Sequence, residues 1–438
     1  MNAFTSTSPT SLETAVVPPA VVDCDVVVVG AGPGGATAAA WLARAGRDVV
    51  LLEKETFPRD KVCGDGLTPR VVQELLLLGL HDEAHGRVDG WSTSTGLRIH
   101  GGDTVMELPW PELDDWPDWG AACTRAQFDH TLAKLAVSDG ATLYEGVTVD
   151  DLTWRDPVAR DRVDGVTWRT ADGETGVVRA PIVIASDGAS SKLGIKAGLH
   201  RRDDRPLAVA ARTYYRSSRA DDDHISSFLD LTDGDGNLLS GYGWIFPLDD
   251  GSLNVGLGLL DTSKDFRGTN YRKLLAAWAT GMADEWETTP DNQFGGVGSG
   301  PIPMGFNRTP IHRTGLLLVG DSAGMVNPFN GEGISYAMEA ARLAAEVADE
   351  ALARKSTAVL DRYDRELRRR WGGYYTLGKV FTHLVGSPTV MDVLTTYGMP
   401  VEPLMQWVLK TMAHLTDSRP SDVNDVIINT MQNVAPAA

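Results

Sequence analysis

The sequence lacks several features that would place it in a function class directly. Its first 43 residues contain neither Lys nor Arg, so the basic region that opens a signal or transit peptide is missing. No run of about 18 apolar residues occurs, which excludes a helix that spans a bilayer. The three cysteines, Cys24, Cys63 and Cys123, form no C-x-x-C pair, so the sequence predicts neither a disulfide framework nor a zinc or other metal site. These absences favour a chain of the reducing cytoplasm.

Positive charge is also scarce. The 438 residues include 40 Lys and Arg against 59 Asp and Glu, which gives a formal net charge of −19. An acid excess of this size argues against nucleic acid as a partner and against purely electrostatic docking on anionic lipid. The length allows two packed domains, or one large α/β core with an inserted sheet.

A glycine motif follows the first apolar run of the chain. The run DVVVVG, which ends at Gly30, is typical of a buried parallel strand, and the Ala-rich stretch after it predicts a helix. Gly30, Gly32 and Gly35 form G-x-G-x-x-G between this strand and helix, a pattern that binds the phosphates of a dinucleotide. Glu53 ends the next predicted strand, where its carboxylate can bind ribose hydroxyls. The alternative is an ordinary Gly-rich turn.

A second Gly-Asp turn favours FAD over NAD as the cofactor. The predicted strand LLLVG delivers Asp321 where its carboxylate can accept a hydrogen bond from a ribityl hydroxyl. Gly331 and Gly333 allow close backbone approach. The helix that begins near Ile334 points its N-terminus at a potential anion, such as a reduced isoalloxazine.

Further segments complete the predicted cofactor set. The turn SDGASS contains Asp187 and Gly188 at a strand end, and can line the flavin site. Arg125 opens the helix TRAQFDHTLAKLAVS after the N-cap Thr124, and is a candidate clamp for the flavin or its phosphates. Gly34 and Lys54 belong to the set because they adjoin the glycine motif and Glu53.

These motifs resemble a known class of flavoproteins. The glycine motif, TRAQFD, SDGASS and GDSAG are similar to the class that contains para-hydroxybenzoate hydroxylase. The stretches FPRDKVCGDGL (57–67) and YGWIFP (242–247) narrow the resemblance to the geranylgeranyl reductase family. The C-terminal MQWVLKTMAHLTDSRPSDV resembles the actinobacterial menaquinone reductases. The resemblance implies reduction of one isoprene unit in a menaquinone tail, with hydride from reduced FAD and a proton from an unidentified donor.

The resemblance also implies roles for the charged loop 57–67, which would pass beside the flavin ring. Gly64 and Gly66 would let its backbone cross close to the isoalloxazine, and Cys63 would lie near the ring or the substrate double bond. Arg59 and Lys61 would face the flavin phosphates or the electron donor. The alternative for Cys63 is a small buried filler.

Tyr242, Trp244 and Phe246 alternate along a predicted strand and therefore share one face. Beside a flavin, such a face can pack a polyene and stabilise positive charge on a protonated alkene. With Cys63, Tyr242 and Trp244 are the predicted catalytic residues. The alternative is a sheet face covered by a core helix. Flavin halogenases carry Trp-x-Trp-x-Ile-Pro at a comparable place, and Tyr242 and Phe246 depart from that pattern.

The predicted fold is mixed α/β (α+β): a Rossmann-like FAD-binding domain with an inserted antiparallel-sheet substrate domain and a helical C-terminal segment. The predicted segments are a disordered tail (1–22), a discontinuous FAD-binding domain (23–90, 121–200 and 301–350), a substrate-binding sheet domain (91–120 and 201–300) and the helical segment (351–438).

Three other functions stay open from the sequence. They are reduction of a geranylgeranyl lipid or geranylgeranyl diphosphate, aromatic hydroxylation with NADPH and oxygen, and non-catalytic carriage of a prenyl lipid with FAD as a structural element. The expected partners are a prenyl-lipid or quinone substrate and an unidentified electron donor. We expect a cytoplasmic chain that associates peripherally with the inner face of the cell membrane. The apolar segment Tyr374–Leu415 is the candidate contact, unless it only packs on the core.

Overall fold

The computed structural model describes residues 17–232, 236–263, 266–385, 387–420 and 422–438. In chain order the strands are β1 (Val21–Asp23), β2 (Val26–Val29), β3 (Val49–Leu52), β4 (Gly66–Leu67), β5 (Trp91–Ser94), β6 (Gly96–Gly101), β7 (Thr104–Pro109), β8 (Gly120–Cys123), β9 (Thr142–Tyr144), β10 (Val147–Trp154), β11 (Val163–Thr170), β12 (Thr175–Arg179), β13 (Ile182–Ala185), β14 (Leu207–Arg216), β15 (His224–Phe228), β16 (Gly241–Leu248), β17 (Ser252–Leu260), β18 (Gln293–Pro303), β19 (His312–Arg313) and β20 (Leu316–Leu318).

The helices, again in chain order, are α1 (Pro33–Arg44), α2 (Pro69–Leu77), α3 (His81–Ala84), α4 (Arg125–Ser138), α5 (Lys192–Lys196), α6 (Tyr271–Gly281), α7 (Ala283–Trp286), α8 (Ile334–Ala353), α9 (Asp361–Val385), α10 (Pro388–Val393), α11 (Glu402–Met412) and α12 (Val423–Val434). Short 3₁₀ turns occur at Gly320–Ala323 and Thr357–Leu360, and a single π turn, Leu394–Gly398, follows α10.

The described residues include a six-stranded sheet with strand order β19-β20-β13-β2-β3-β9. The glycine motif follows β2 at the carboxyl end of this interior strand. The strands of the sheet are parallel apart from the β19–β20 pair. The four central strands are buried along their whole length, which explains why they consist of Val, Ile, Leu and Ala. Because parallel strands end at a common edge, the turns after β2, β3, β13 and β20 converge on one place.

A smaller sheet, β1-β12-β11-β10, corrects the predicted N-terminal tail. Val21–Asp23 pairs in parallel with β12, so Val21 and Val22 belong to a sheet and not to a disordered segment. The β-branched side chains of these residues suit a strand. Residues 1–16 of the predicted tail lie outside the described residues.

The largest sheet of the described chain has seven strands in the order β18-β14-β17-β16-β15-β6-β7, antiparallel apart from the β15–β6 pair. The predicted hairpin with DDG at its tip is present as β16 and β17. Strand β5, which the sequence analysis assigned to the substrate sheet, instead pairs with β8 in a small sheet that also contains β4. Thr95 alone separates β5 from β6, and the two strands belong to different sheets.

The C-terminal region is helical, and α11 covers one face of the large sheet. Met405 and Leu409 of α11 share a hydrophobic cluster with Ile99, Trp110 and Ile225. Among the described residues, no helix has both the length and the apolarity that crossing a membrane requires.

Candidate functional site

A cavity of about 970 Å³ joins the edge of the six-stranded sheet to the inner face of the seven-stranded sheet. One end is formed by the turns that follow β2, β3, β13 and β20. The other end is lined by apolar side chains of the large sheet and of α11, namely Leu97, Ile99, Ile225, Leu229, Met405, Val408, Leu409 and Met412. We call this second end the apolar chamber. The cavity thus combines a polar end with an end suited to a hydrocarbon chain.

The structure brings nearly all predicted site residues to this cavity. Those that line it are Gly30, Gly32, Gly34, Glu53, Lys54, Arg59, Lys61, Cys63, Gly64, Arg125, Asp187, Gly188, Tyr242, Trp244, Phe246, Asp321, Gly331, Gly333 and Ile334. Gly35 does not line it. A Cβ on Gly35 would lie 1.8 Å from the Gly30 carbonyl oxygen, so this glycine serves the close packing of α1 on β2.

The turn between β2 and α1 fits a pyrophosphate. Gly30 has φ +92, and a Cβ there would lie 2.3 Å from the Ser186 carbonyl oxygen, so only glycine closes this turn. At Gly32 a Cβ would instead point toward guanidinium nitrogens of Arg59 and Arg125, 3.8 and 3.9 Å away. The first turn of α1 therefore presents its backbone N–H groups beside two cationic side chains, an arrangement that suits phosphate.

Glu53 is buried beside this turn, as predicted from its place at the end of β3. Its Oε2 accepts hydrogen bonds from Ala31 N at 2.9 Å and from Arg59 Nη2 at 3.2 Å, and its Oε1 accepts from Glu55 N at 3.1 Å. A carboxylate offers about four acceptor sites, so Glu53 keeps capacity for a ribose hydroxyl. Lys54 pairs with Glu55 at the surface, a contact of little energetic value.

Asp129, which the sequence analysis did not single out, organises the two arginines. It accepts from Arg59 Nη1 at 2.6 Å and from Arg125 Nε and Nη2 at 2.8 and 2.7 Å. Arg125 is therefore not a free clamp, because Asp129 one helical turn later already holds its guanidinium group. Both arginines are fixed in place before a ligand binds.

The charged loop 57–67 is anchored by polar side chains of the large sheet. Asp65 is buried with φ +65, and its carboxylate accepts from Tyr214 Oη and Asn254 Nδ2 at 2.8 Å each, and from Arg125 N at 3.1 Å. Burial raises the pKa of Asp65 to about 6. Asn254 also donates to the Cys63 carbonyl oxygen at 2.8 Å. Neither Tyr214 nor Asn254 was predicted as an anchor, and the local signal that could have pointed to one is Asp65 itself, a charged residue between two glycines.

Cys63 lies in the cavity wall as a neutral thiol. Its Sγ accepts from Asp65 N at 3.4 Å, and burial raises its pKa despite the opposing influence of Arg125. The neighbouring glycines Gly64 and Gly66 also have a packing role, and their predicted passage beside the isoalloxazine stays a prediction. A Cβ on Gly64 or Gly66 would lie 2.8 or 3.0 Å from the Phe246 ring, so the space their missing side chains leave is filled by Phe246.

Tyr242, Trp244 and Phe246 share one face of β16, with ring centroids 6.0 and 6.3 Å apart along the row. Trp244 Nε1 donates to Asn254 Oδ1 at 2.9 Å, and Tyr242 Oη donates to the Asn330 carbonyl oxygen at 2.8 Å. On the opposite face, a Cβ on Gly243 would meet Trp278 of α6 at 2.3 Å. The helix therefore covers the other face of the strand, and the aromatic row is left to line the cavity.

The turns after β13 and β20 complete the polar end. Asp187 Oδ2 accepts from Leu193 N at 3.0 Å, whereas its Oδ1 is buried without a partner among the described residues. Burial raises the pKa of this carboxyl group. Asp321 Oδ1 lies 3.5 Å from the position of a Cβ on Gly333. An unpaired carboxylate oxygen and a glycine-lined approach fit a ligand rich in hydroxyl groups, such as the ribityl chain of a flavin.

Comparison with known proteins agrees with this geometry. Residues 23–242 match the FAD binding domain family. Over 394 residues the chain is 41% identical to a menaquinone reductase of Mycobacterium tuberculosis, covering 89% of this chain and 91% of that one. It is 32% identical over 360 residues to digeranylgeranylglycerophospholipid reductase 1 of Methanopyrus kandleri, with coverages of 79% and 88%.

A solved structure shows the same fold. It is a geranylgeranyl bacteriochlorophyll reductase-like protein of Thermoplasma acidophilum, with a TM-score of 0.74, 22% identity, and coverage of 94% of this chain and 100% of that one. Together with the family match, this likeness confirms the predicted mixed α/β fold and FAD as the cofactor.

Proposed function

The chain belongs to the family of FAD-dependent reductases that includes the mycobacterial menaquinone reductases and the archaeal digeranylgeranylglycerophospholipid reductases, and we propose that it saturates one double bond in the isoprenoid tail of menaquinone. Membership of this family confirms an oxidoreductase that acts on isoprenoid C=C bonds. The proposal adds the substrate, because relatives at 41% and 36% identity carry the name menaquinone reductase.

The apolar chamber is the observation that carries this proposal. Its wall consists of Leu, Ile, Val and Met side chains from β6, β15 and α11, and it continues from the polar end past the aromatic row of β16. Methionines such as Met405 and Met412 adapt to irregular shapes, which suits a flexible polyprenyl chain. A hydroxylase that takes a small polar aromatic substrate would not need an apolar wall of this length.

The residues at the junction of the two ends have distinct tasks. When bound and reduced, FAD would supply the hydride. The rings of Tyr242, Trp244 and Phe246 pack the alkene, exclude water and stabilise positive charge that develops on carbon. Cys63 sits beside this row as a neutral thiol and shapes the junction. Asp65 and Asn254 hold the backbone of Cys63 against the sheet.

A membrane contact follows from the substrate, since a quinone with a long tail does not leave the bilayer unaided. The ends of α9, α10 and α11 expose a group of apolar side chains, which are Val380, Leu384, Val393, Leu394, Tyr397, Val401 and Leu404. We call this group the apolar patch. It shares α11 with the apolar chamber, so a tail could pass from lipid into the cavity along this helix.

Mass spectrometry of quinones tests the proposed function. Cells that express the gene should contain menaquinone with two additional hydrogens in the tail, and cells without it should lose that species. Loss of saturation from a glycerophospholipid, with quinones unchanged, would assign the archaeal type of substrate instead. Substrate-stimulated oxygen uptake by the purified protein would identify a hydroxylase.

A further inference from the structure

Glu332 is a buried acid in the cavity wall that belongs neither to the cofactor set nor to the aromatic row. It lies between Gly331 and Gly333 in the turn that leads into α8, and it lines the cavity together with Thr68 and Tyr242. Its Oε1 accepts a hydrogen bond from the Thr68 hydroxyl at 2.5 Å. Its Oε2 is buried and has no hydrogen-bond partner among the described residues. Burying an ionised carboxylate with one oxygen unpaired costs more than burying the neutral acid, so this environment favours the protonated form.

Burial of Glu332 favours the acid, whereas its polar and charged neighbours favour the carboxylate. Burial raises its pKa, against the opposing contacts of Ser335 and Thr68 and the more distant charge of Arg70. The helix α8 begins two residues later, and its N-terminus favours an anion on this side of the cavity. Once the proton has left, the same N-terminus and the Thr68 hydroxyl stabilise the carboxylate that forms.

Other acids at the junction are less suited to give up a proton. The Tyr242 hydroxyl already donates to the Asn330 carbonyl oxygen, and burial raises its pKa to about 12. Asp65 does not line the cavity, and both of its oxygens accept hydrogen bonds. Asp187, whose pKa burial also raises, lies at the polar end, where the cofactor would bind. Cys63 lines the cavity as a thiol and is the competitor at the junction.

We propose that Glu332 is the acid that protonates one carbon of the substrate double bond. The inference rests on the proposed function. In this step the O–H bond of Glu332 breaks and a C–H bond forms at one alkene carbon, while hydride from the reduced cofactor forms the C–H bond at the other. The π bond is consumed, the tail is reduced by two hydrogens, the cofactor is oxidised, and the carboxylate regains its proton from water.

Substitution of Glu332 tests the inference on the FAD-loaded protein. Glu332→Gln keeps the size of the side chain and can keep the contact with Thr68, but it supplies no acidic proton. Under anaerobic conditions with dithionite-reduced enzyme and menaquinone, its rate of tail saturation should fall by about 10²–10⁴-fold, as loss of a general acid does. Glu332→Asp should recover part of the rate. Glu346→Gln, at an exposed position of α8, is the matched control and should equal wild type.

A second readout does not depend on turnover. The infrared difference spectrum between wild type and Glu332→Gln, each loaded with FAD, should contain the band of a buried carboxylic acid that shifts in D₂O. Bound FAD content should be equal in the two proteins. Absence of that band, a saturation rate within a few fold of wild type, or a large loss in Cys63→Ala with none in Glu332→Gln would overturn the inference. If wild type saturates no menaquinone at all, the proposed function fails and this inference fails with it. If wild type and Glu332→Gln saturate menaquinone at similar rates, this inference fails and the proposed function stands.

Discussion

At the scale of single residues, the site depends on a few buried polar groups that fix the loop around Cys63. Asp65 receives three hydrogen bonds, and Asn254 ties both Asp65 and the Cys63 carbonyl to β17. Arg212 adds a hydrogen bond to the Lys61 carbonyl oxygen at 3.0 Å. Buried groups of this kind stabilise one conformation because leaving any of them unpaired is costly.

Asp65 gives this network a defined pH dependence. Its pKa of about 6 in the folded protein lies above the ordinary value of 3.8, so its contribution to stability is fully present below about pH 4 and is lost as pH rises through 6. Asp65→Asn removes that titration. In urea unfolding between pH 4 and 7.5, the variant should gain stability relative to wild type up to about pH 6, and the difference should then stay constant. A difference that is constant over the whole range would refute a raised pKa at Asp65.

Glu53 should control cofactor affinity. Glu53→Ala removes a charged acceptor for a ribose hydroxyl, worth roughly 1.5–3 kcal/mol, so the affinity for FAD should fall about ten- to a hundredfold. It also frees Ala31 N and Arg59. Glu53→Gln keeps an acceptor and is the matched control, with a smaller loss. The measurement is FAD content after extensive dialysis, and full retention in the Ala variant would exclude Glu53 as the ribose ligand.

At the scale of elements, α11 serves two surfaces. Met405, Leu409 and Met412 line the apolar chamber, while Leu404 belongs to the exposed apolar patch. From the sequence, segment 374–415 was a candidate membrane contact, with packing on the core as the alternative. The structure divides this segment into buried and exposed parts, because a helix with apolar residues on more than one side can bury one face and expose another.

The apolar patch should bind liposomes. Tyr397 and Leu384 are 74% and 52% exposed, so Tyr397→Glu and Leu384→Glu should weaken flotation with neutral lipid without harm to the fold. Val158→Glu is the matched control, since Val158 is 96% exposed in the β10–β11 loop. Phe381 is a poorer choice because its ring packs on Phe329. Equal flotation of all four proteins would exclude the patch as the docking surface.

The chamber itself can be narrowed from α11. Leu409→Trp adds volume to a wall residue that is remote from the polar end, so FAD content should equal that of wild type. Saturation of a long-tailed menaquinone should slow by more than tenfold, as entry of the tail is obstructed. Leu404→Trp, on the exposed side of the same helix, should leave the saturation rate close to that of wild type. Equal rates in all three proteins would show that the substrate does not occupy the chamber.

At the scale of the whole molecule, the features that could be predicted from the sequence are those that local patterns determine. The β2–α1–β3 unit, the N-cap of α4 at Thr124 and the β16–β17 hairpin follow from periodicity, glycine placement and capping, which act over short separations. The strand ends that carry the cofactor residues meet because parallel strands share an edge, so their convergence was predictable as well.

Contacts between distant segments were not predictable in this way. Asn254 lies 191 positions from Cys63, and Arg212 lies 151 from Lys61, yet their hydrogen bonds hold the loop. Nothing local in either segment indicates its partner. The same holds for α11, whose role as a wall of the chamber depends on where the large sheet lies.

The central claim is reduction of an isoprenoid double bond in menaquinone, and the most direct measurement is anaerobic turnover with the product identified by mass. The bound FAD is reduced with dithionite, menaquinone is added, and the quinone is recovered for mass spectrometry. Absorbance alone is insufficient, because the naphthoquinone ring can itself oxidise a reduced flavin. We predict a product with two extra hydrogens located in the tail, formed in proportion to the FAD reoxidised. Reoxidation that leaves the tail mass unchanged would contradict it.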